Sequence, residues 1–384
     1  MKNQPISTTD ACVMIDARYL NGKSSGIGRY TEHLIRHLLE LDDGLRLRLV
    51  THWRRPRPIE HERVTHQTFL GAPNSLSTRF FLSRRIDFDG VDLFHSPFNV
   101  LPANLPVPAI FTLHDIMWII DPSLCTSKLW KKAVTGSFYR TFIPHSVRQA
   151  AAILTVSQNS QRSIAKEFPD AEKRIDVTYN GVESFFRPMP PEEAWPKLAQ
   201  WLVPKSRFVL AVGQGTPYKN HVGAVRAFLK AFGDDPHVYF VMVRRLHGRA
   251  NAELRALLDD PRLNSRVIAL DYISAEQLRA LYSMATVFLF PSLYEGFGLP
   301  AVEAMACGTA TVTSDRGAPA EVCADGAVGV DPTDISEIAD ALRRLFDDDS
   351  YRARVEKRGV NRADDFGWRD CAQRALSVYR RVLS

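Results

Sequence analysis

The sequence predicts an α/β protein made of two doubly wound domains. Short apolar runs rich in β-branched and aromatic residues alternate with helical stretches along the chain, the pattern of βαβ units around parallel sheets. A length of 384 residues exceeds what one hydrophobic core usually serves, so two domains are expected. Met189, Pro190, Pro191 and Pro196 punctuate a stretch without a clear strand, which predicts a linker there.

The elements follow from these periodicities. In the first half, β-rich runs predict strands at 12–16, 47–51, 93–95, 109–113, 152–156 and 175–178. Helical spacing predicts helices at 28–39, 131–150 and 159–168. In the second half, strands are predicted at 208–212, 238–243, 267–270, 287–290, 309–313 and 327–330, with helices between them. A last helix, 368–382, keeps an apolar stripe.

Composition limits the class of protein. The chain is 45% hydrophobic and 24% charged, values typical of a soluble globular protein. Its five cysteines are scattered without a Cys-x-x-Cys pair, which argues for a reducing compartment and against a zinc site or a disulfide framework. The first ten residues lack the apolar core of a signal peptide, so a cytoplasmic protein is expected.

The positive charge is concentrated in the first half. Residues 1–185 carry 23 Lys and Arg against 18 Asp and Glu. Basic clusters lie at Arg54, Arg55 and Arg57, at Arg79, Arg84 and Arg85, and at Lys128, Lys131 and Lys132. No base-reading motif accompanies them, so nucleic acid is not an expected partner. An anionic membrane surface or a lipid-diphosphate acceptor is one interpretation, and an ordinary solvated basic surface is the other.

The segment 291–308 carries most of the chemical information. A predicted strand leads into a loop with Gly296 and Gly298, after which Pro300 begins a helix. Glu295 lies in the loop and Glu303 one turn into the helix. The N-terminal end of a helix suits a phosphate, and carboxylates accept hydrogen bonds from a diol. The segment therefore predicts a sugar-nucleotide site, with a Gly-rich turn before a core helix as the structural alternative.

These residues resemble the retaining glycosyltransferases of family 4, whose mark is two Glu separated by seven residues, here Glu295 and Glu303. The flanking Gly-Phe-Gly-Leu-Pro and Glu-Ala-Met-Ala-Cys-Gly make the match specific. The resemblance implies the GT-B fold, in which two Rossmann-like domains face each other across a cleft. It implies an N-terminal acceptor domain at 1–185, a linker at 186–204, a nucleotide-sugar domain at 205–365, and a terminal segment at 366–384 that crosses back to the first domain.

Four positions of the first domain are expected near the donor phosphates. Gly26 and Gly28 precede a helix, where backbone N–H groups can face an anion. A structural turn explains such a pair equally well. The resemblance places this loop near the donor phosphates and the acceptor, with Lys23 and Arg29 as further contacts.

A His-Asp pair ends a predicted strand of the same domain. His114 and Asp115 follow 109–113, and ligands of doubly wound sheets bind beyond the carboxyl ends of strands. By resemblance His114 contacts the donor sugar and is catalytic, and Asp115 and Asp16 contact the acceptor. His95 also follows a strand, and it either orients the acceptor or caps the strand.

The nucleotide domain opens on Gly213-Gln-Gly-Thr-Pro-Tyr-Lys. By resemblance Gly213 and Gln214 line the donor site, and Lys219 reaches the diphosphate as a point charge. Many relatives carry Arg at the position of Gln214, so this chain has one cation fewer. Arg244 or Arg245, after the strand 238–243, is the hypothetical replacement.

The remaining donor contacts come from two loops. The backbone around Tyr272 and Ile273 is expected to meet the nucleobase. Ser274 and Gln277 also form the sequence of a capping box, which explains their side chains locally. Glu303 is expected to hold the ribose, Glu295 the sugar hydroxyls, and the Gly296 loop with the amides of Phe297, Gly298 and Leu299 the diphosphate.

The implied activity is hexosyl transfer with retention of configuration, with mannose from GDP-mannose the preferred donor. The two Asp-x-Asp runs, at 87–89 and 347–349, lie outside the segments assigned to the donor site, so no metal or other cofactor is expected. The expected acceptor is a saccharide or lipid-linked saccharide of surface-polysaccharide synthesis, reached from the inner face of the membrane. Alternatives are a UDP-sugar donor and a non-catalytic sugar-nucleotide-binding protein. An epimerase or phosphorylase of the same fold, and an RNA-binding protein, are weaker alternatives.

Overall fold

The computed structural model describes residues 11–20, 25–55, 57–126, 128–244, 252–263, 265–271 and 273–384. The chain divides into two compact units. Unit 1 combines Met1–Ile120, Val134–Gly181 and Gly367–Ser384, and unit 2 combines Asp121–Ala133 and Val182–Phe366. The segment Asp121–Ala133 lies within the predicted first domain but groups with unit 2, where helix Pro122–Cys125 packs on the turn Pro217–Lys219.

Unit 1 is built on a parallel sheet. Its strands are β1 (Cys12–Asp16), β2 (Arg46–Thr51), β3 (Val64–Thr68), β4 (Leu93–Ser96), β5 (Ala109–Thr112), β6 (Ala152–Thr155) and β7 (Ile175–Val177). They lie in the order β3-β2-β1-β4-β5-β6-β7. Strand β1 pairs with both β2 and β4, so Ile15 lies between Leu49 and His95. The order reverses there, and ligands of doubly wound sheets bind beyond such a point.

Helices cover this sheet. They are α1 (Gly26–Leu41), α2 (Leu76–Arg85), α3 (Met117–Ile120), α5 (Leu129–Gln149), α6 (Gln158–Glu167) and α15 (Trp368–Leu383). Helix α4 (Pro122–Cys125) and the first five residues of α5 group with unit 2. Ser25 begins α1 by accepting a hydrogen bond from the Gly28 N–H, and Ser157 caps α6 as predicted.

The terminal helix α15 packs on α1. Trp368 stacks on His33 with ring centroids 4.8 Å apart, and Arg380 pairs with Asp42 at 2.8 Å. A Cβ on Gly181 would lie 2.2 Å from the backbone nitrogen of Trp368. Only glycine therefore allows the chain to pass the start of α15 at that point.

Unit 2 has a second parallel sheet. Its strands are β8 (Arg207–Val212), β9 (Val238–Val243), β10 (Val267–Leu270), β11 (Val287–Phe290), β12 (Thr311–Ser314) and β13 (Val328–Val330), in the order β10-β9-β8-β11-β12-β13. Its helices are α7 (Pro191–Leu198), α8 (His221–Phe232), α9 (Ala252–Leu258), α10 (Ala275–Met284), α11 (Leu299–Ala306), α12 (Gly317–Cys323), α13 (Ile335–Asp347) and α14 (Asp349–Ala363). The order reverses between β8 and β11, whose loops meet at one edge.

The α/β prediction of two Rossmann-like domains is confirmed by these two sheets. Most predicted strands match within two residues. The run predicted at 309–313 becomes a strand only at Thr311, because the Thr309 N–H still bonds the Ala304 carbonyl at the end of α11. Strand β3 and helix α2 had no periodic signal. Within the described ranges, no helix is long and apolar enough to cross a bilayer.

Candidate functional site

The central feature of unit 2 is an ion pair at the reversal point of its sheet. Lys219 Nζ lies 2.6 Å from Glu295 Oε1, and both side chains are about nine-tenths buried. Lys219 is in the turn that follows β8, and Glu295 is in the loop that follows β11. A backbone hydrogen bond of 2.7 Å from Leu293 to Tyr218 joins the two segments. The pair therefore brings together two residues that the sequence separately assigned to the donor site.

Local geometry fixes the position of Lys219. Asn220 has a left-handed backbone, φ +51°, and its side chain caps α8 through the Gly223 N–H. The same side chain donates to the Pro332 carbonyl at 2.7 Å. A Cβ on Gly213 would lie 3.1 Å from Lys219 Cδ, so Gly213 gives the lysine stem room. The Lys219 ammonium lies 4.5 Å from the centre of the Phe290 ring, within cation–π range.

Helix α11 begins beside this pair. Gly298 precedes it with φ +106° and offers no side-chain cap. Pro300 has no N–H and the Ala301 N–H donates to the Gly298 carbonyl at 2.9 Å, so the helix offers a ligand the Leu299 N–H and the positive end of its dipole. Phe297 is buried and packs edge to face on Phe366, with centroids 5.4 Å apart. That contact holds the loop, and Gly298 makes the sharp entry into the helix. The helix begins at Leu299, one residue before the predicted start at Pro300.

Glu303 lies inside α11 and is 3% exposed. The Tyr282 hydroxyl donates to Glu303 Oε2 at 3.2 Å, which orients the carboxylate. Burial raises the pKa of Cys307 to about 12, and the charge of the Glu303 carboxylate adds to that rise. The sequence did not indicate Tyr282, because it comes from α10, 21 residues away.

A second cation lies near the Lys219 turn. Arg244 follows β9, is buried, and has its pKa lowered by that burial. Burial lowers the pKa of His221 to about 3. The charges of Arg244 and, to a smaller extent, Lys219 contribute to this lowering. His221 Nε2 lies 3.2 Å from the Gln214 carbonyl oxygen, while the Gln214 side chain is exposed. Arg244 is thus close to the position where the extra cation was predicted, and its role stays a hypothesis.

Two hydroxyls of these loops were not indicated by the sequence. Thr216 Oγ1 and Ser292 Oγ are buried and have no hydrogen-bond partner among the described residues. Thr216 precedes Lys219 by three positions, and Ser292 precedes Glu295 by three positions. A buried hydroxyl without a partner is costly, so a polar ligand is the natural group to satisfy it.

Some predicted donor residues cannot be placed. Lys23, Arg245 and Tyr272 lie outside the described residues. Ile273 is described and stands directly before Ser274, which caps α10 in a capping box with Gln277. Gly296 lies half-buried in the loop between β11 and α11. Among the described residues, no group of three or more His, Cys, Asp or Glu is arranged to hold a metal.

In unit 1, Asp16 is held by an arginine that the sequence did not single out. Arg18 Nε and Nη2 lie 2.8 and 2.5 Å from the two carboxylate oxygens of Asp16, and both residues are fully buried. Arg18 Nη1 also donates to the Gly71 carbonyl and the Thr78 hydroxyl. A bidentate buried pair of this kind accounts for Asp16 structurally. Its predicted acceptor contact remains untested.

His95 belongs to a buried polar chain of four side chains. Its Nδ1 lies 2.5 Å from the Tyr379 hydroxyl and its Nε2 lies 2.9 Å from Thr112 Oγ1. Tyr30 reaches the same Thr112 oxygen at 2.9 Å. Burial lowers the pKa of His95 to about 3. Because both ring nitrogens have protein partners, this geometry favours the structural alternative over acceptor contact.

His114 and Asp115 lie at the carboxyl end of β5, as predicted. His114 Nε2 lies 3.0 Å from the Pro97 carbonyl oxygen, so the imidazole donates there from Nε2. Its ring meets Tyr30 edge to face at 5.0 Å. Burial lowers the pKa of His114 to about 4, which keeps the ring neutral at pH 7. Asp115 Oδ1 accepts a hydrogen bond from the Met117 N–H, as at the start of a helix.

The two glycines of the first loop differ. Gly26 is exposed, and a Cβ added to it would meet no atom within 4 Å. A Cβ on Gly28 would lie 3.0 Å from Ser25 Oγ and 3.1 Å from the Tyr19 carbonyl oxygen. Gly28 is therefore needed for the tight start of α1. Crowding does not explain the glycine at position 26, whereas close approach of a ligand would.

Comparison with known proteins gives evidence for the family of this chain that is independent of the structure. The family model for glycosyl transferases group 1 matches residues 196–362, and that for glycosyltransferase family 4 matches residues 24–184. The chain is 29% identical to the O-antigen chain mannosyltransferase B of Escherichia coli, over 75% of this chain and 74% of that protein. It is 30% identical to alpha-maltose-1-phosphate synthase of Mycobacterium tuberculosis, over 71% and 75% of the respective chains.

The fold has counterparts among solved structures. The sucrose-phosphate synthase of Thermosynechococcus elongatus superposes with a TM-score of 0.74 at 20% identity, and the match covers 97% of this chain and 98% of that one. At that identity the likeness supports the fold.

Proposed function

The chain belongs to the group 1 glycosyltransferases, and from this premise we propose that it moves a mannosyl residue from GDP-mannose to a saccharide acceptor with retention of configuration. The carrying observation is the Lys219–Glu295 pair, 2.6 Å apart, beside the start of α11. A cation and the N-terminal end of a helix suit a diphosphate, and a carboxylate suits sugar hydroxyls. The choice of mannose is supported by the name of the E. coli relative.

Each donor group has a proposed contact in unit 2. Lys219 and the amides of Phe297, Gly298 and Leu299 stabilise the charge that develops on the departing diphosphate. Glu295 exchanges its lysine partner for sugar hydroxyls, and Glu303, oriented by Tyr282, holds the ribose. The buried hydroxyls of Thr216 and Ser292 complete their hydrogen bonds on the donor.

The proposed chemistry is a same-face substitution. The acceptor hydroxyl forms the new bond to the anomeric carbon as the diphosphate leaves, and a phosphate oxygen takes the hydroxyl proton. The proposal includes no metal, because neither Asp-x-Asp run, at 87–89 or 347–349, belongs to the segments assigned to the donor site. Full transfer in EDTA supports that part, and loss of activity that returns with a divalent cation contradicts it.

His114 is proposed to support the reacting sugar as a neutral group. Its pKa of about 4 keeps it uncharged at pH 7, and its Nε2 proton is directed at the Pro97 carbonyl. The His114 backbone carbonyl accepts a hydrogen bond from Ser160 Oγ at 3.1 Å, so the Nδ1 edge is the group proposed to meet the donor. His114→Ala should lower kcat far more than donor affinity, and wild-type turnover from that variant removes His114 from the mechanism.

Thermal stabilisation by nucleotide sugars is the first test. Purified protein is heated with GDP-mannose, UDP-glucose, UDP-galactose, UDP-N-acetylglucosamine or ADP-glucose. A ligand at a hundredfold excess over Kd adds about 2.7 kcal/mol, which shifts the melting temperature measurably. Stabilisation by GDP-mannose alone supports the proposal. Stabilisation by UDP-sugars instead assigns the second candidate, which rests on a base pocket read mainly through backbone groups near Ile273.

A non-catalytic sugar-nucleotide-binding protein is the other candidate, favoured by Gln214 in place of a cation. It predicts stabilisation by the donor without release of GDP in the presence of any acceptor or water. The acceptor proposed for the enzyme is a saccharide or lipid-linked saccharide of surface-polysaccharide synthesis. We further propose that the protein works in the cytoplasm and contacts the inner face of the membrane through its basic first half.

A further inference from the structure

Two neighbouring helices of unit 1 present an apolar face. Leu76 and Phe80 are four residues apart on α2, and Val134, Phe138 and Phe142 repeat at the same spacing on α5, so each helix carries one continuous stripe. The stripes meet where Phe80 packs edge to face on Phe142, with centroids 5.9 Å apart. A groove of about 460 Å³ is lined by residues of both helices. We call this surface the α2–α5 face.

Much of this face is open to solvent. Leu76, Phe80, Phe81 and Val134 are between 46% and 66% exposed. On its opposite side α2 buries Thr78, Arg79 and Leu82, so the exposed Leu76, Phe80 and Phe81 are apolar residues beyond those that anchor the helix. Adjacent exposed apolar side chains on a folded protein mark a surface that binds something else.

The charge on the two helices is one-sided. Their 31 residues contain seven Lys and Arg and no Asp or Glu. Arg84 and Arg85 follow Phe80 and Phe81 by four positions and are exposed in the last turn of α2. Exposed apolar side chains beside exposed cations suit an anionic lipid surface, which offers both a nonpolar interface and negative headgroups.

We infer that the α2–α5 face docks on an anionic bilayer, with the Phe, Leu and Val side chains in the interface and Arg84 and Arg85 among the headgroups. Positive charge decides against a second copy of the chain as the occupant, since self-association would oppose two faces of the same sign. The inference identifies the surface that makes the proposed membrane contact. It rests on the membrane part of the proposed function and not on the proposed donor.

Vesicle flotation of the full chain tests the inference. The wild-type protein should float with phosphatidylcholine vesicles that contain phosphatidylglycerol, remain behind with pure phosphatidylcholine, and be released by salt. A cation near an anionic surface contributes about fivefold to partitioning, so Arg84→Gln/Arg85→Gln should lose about 25-fold. The matched control is Lys357→Gln/Arg358→Gln on α14, which removes two exposed charges elsewhere and should float like the wild type.

A second pair of variants tests the apolar part. Val134 and Val203 are each 66% exposed, so replacement of either by Ser should leave folding unchanged. Val134→Ser should float several-fold less and Val203→Ser should not change. The inference is overturned by equal flotation with neutral vesicles, or by equal losses in variant and control. It is also overturned if vesicles are ignored and the protein instead forms a dimer that Phe80→Ser dissociates.

Stabilisation by the nucleotide sugar is measured on the same proteins. Since the α2–α5 face is outside the donor site, all four variants should respond to the donor as the wild type does. Donor response without flotation rejects the docking surface alone. Flotation without any donor response rejects the proposed donor alone.

Discussion

At the residue scale, the Lys219–Glu295 pair combines two roles that mutation can separate. Lys219→Met should lower transfer by roughly 10²–10³-fold, because a lost contact to developing charge has about that cost. It should also destabilise the protein by about 3 kcal/mol, since a nearly buried carboxylate loses its partner. Steady-state kinetics and chemical denaturation measure the two effects.

The double variant Lys219→Met/Glu295→Gln is the control for that experiment. It removes both charges, so most of the lost stability should return while transfer stays low. If the double variant also regained transfer, the pair would be structural and the proposed donor contacts would be wrong.

Arg244 is the second residue-scale prediction. If it supplies the cation missing at Gln214, Arg244→Ala should raise the donor Kd by about 10–100-fold, the range of one hydrogen bond to a charged group. Arg244→Lys should keep part of the affinity, because the charge remains. Isothermal titration with the donor measures both.

The matched control for Arg244 is Arg226→Ala. Arg226 lies on α8 in the same unit, exposed and paired with Glu253 at 2.9 Å, and its loss should leave the donor Kd unchanged. Unchanged donor affinity in Arg244→Ala would mean that Arg244 does not replace the cation missing at Gln214, and would leave Lys219 and Arg29 as the proposed cations among the described residues.

At the element scale, the sequence predicted the helices whose signals are local. The capping box at Ser274 and the Ser157 cap are both present, because a cap depends on residues within one turn. Strand β3, with sequence Val-Thr-His-Gln-Thr, is a polar edge strand and carries no apolar alternation. Helix α2 was missed because its apolar residues lie on both sides of the helix, with Phe80 and Phe81 exposed and Leu82 buried, so the sequence shows no single apolar face.

The entry into α11 is the element-scale prediction. Gly298→Ala places a Cβ on a backbone with φ +106°, which costs about 1–3 kcal/mol, and a shifted helix start should also weaken donor binding. Gly26→Ala is the comparison, since a Cβ there meets no atom within 4 Å and the first residue of α1 gains helix propensity. Melting temperatures should fall for the first and hold or rise for the second. A stable Gly298→Ala protein would show that the loop adapts.

At the scale of the whole molecule, three buried histidines make stability depend on pH. Burial lowers the pKa of His95 and His221 to about 3 and that of His114 to about 4. Between about pH 4 and 6.5 the unfolded imidazoles bind protons that the folded ones do not. Acid therefore favours unfolding in that window, by about 2 kcal/mol per histidine between pH 6.5 and 5.

Denaturation at several pH values between 5 and 8 measures this effect. The wild-type stability should fall below pH 6.5 and be level above it. His95→Gln should flatten the fall, because that side chain no longer titrates, although its overall stability is lower. An unchanged slope in His95→Gln would mean that His95 does not contribute to the acid sensitivity.

The sequence by itself determined the alternation of strands and helices, the helix caps and the segment with Glu295 and Glu303, since all of these depend on residues close together along the chain. Only the tertiary structure joined Lys219 to Glu295, 76 positions apart, and His95 to Tyr379, 284 positions apart. It also gave Asp16 a buried arginine partner and left Leu76, Phe80, Phe81 and Val134 exposed to solvent. Such pairings depend on the order of strands in a sheet and on which faces the sheet buries. Local periodicity in the sequence gives no information about either.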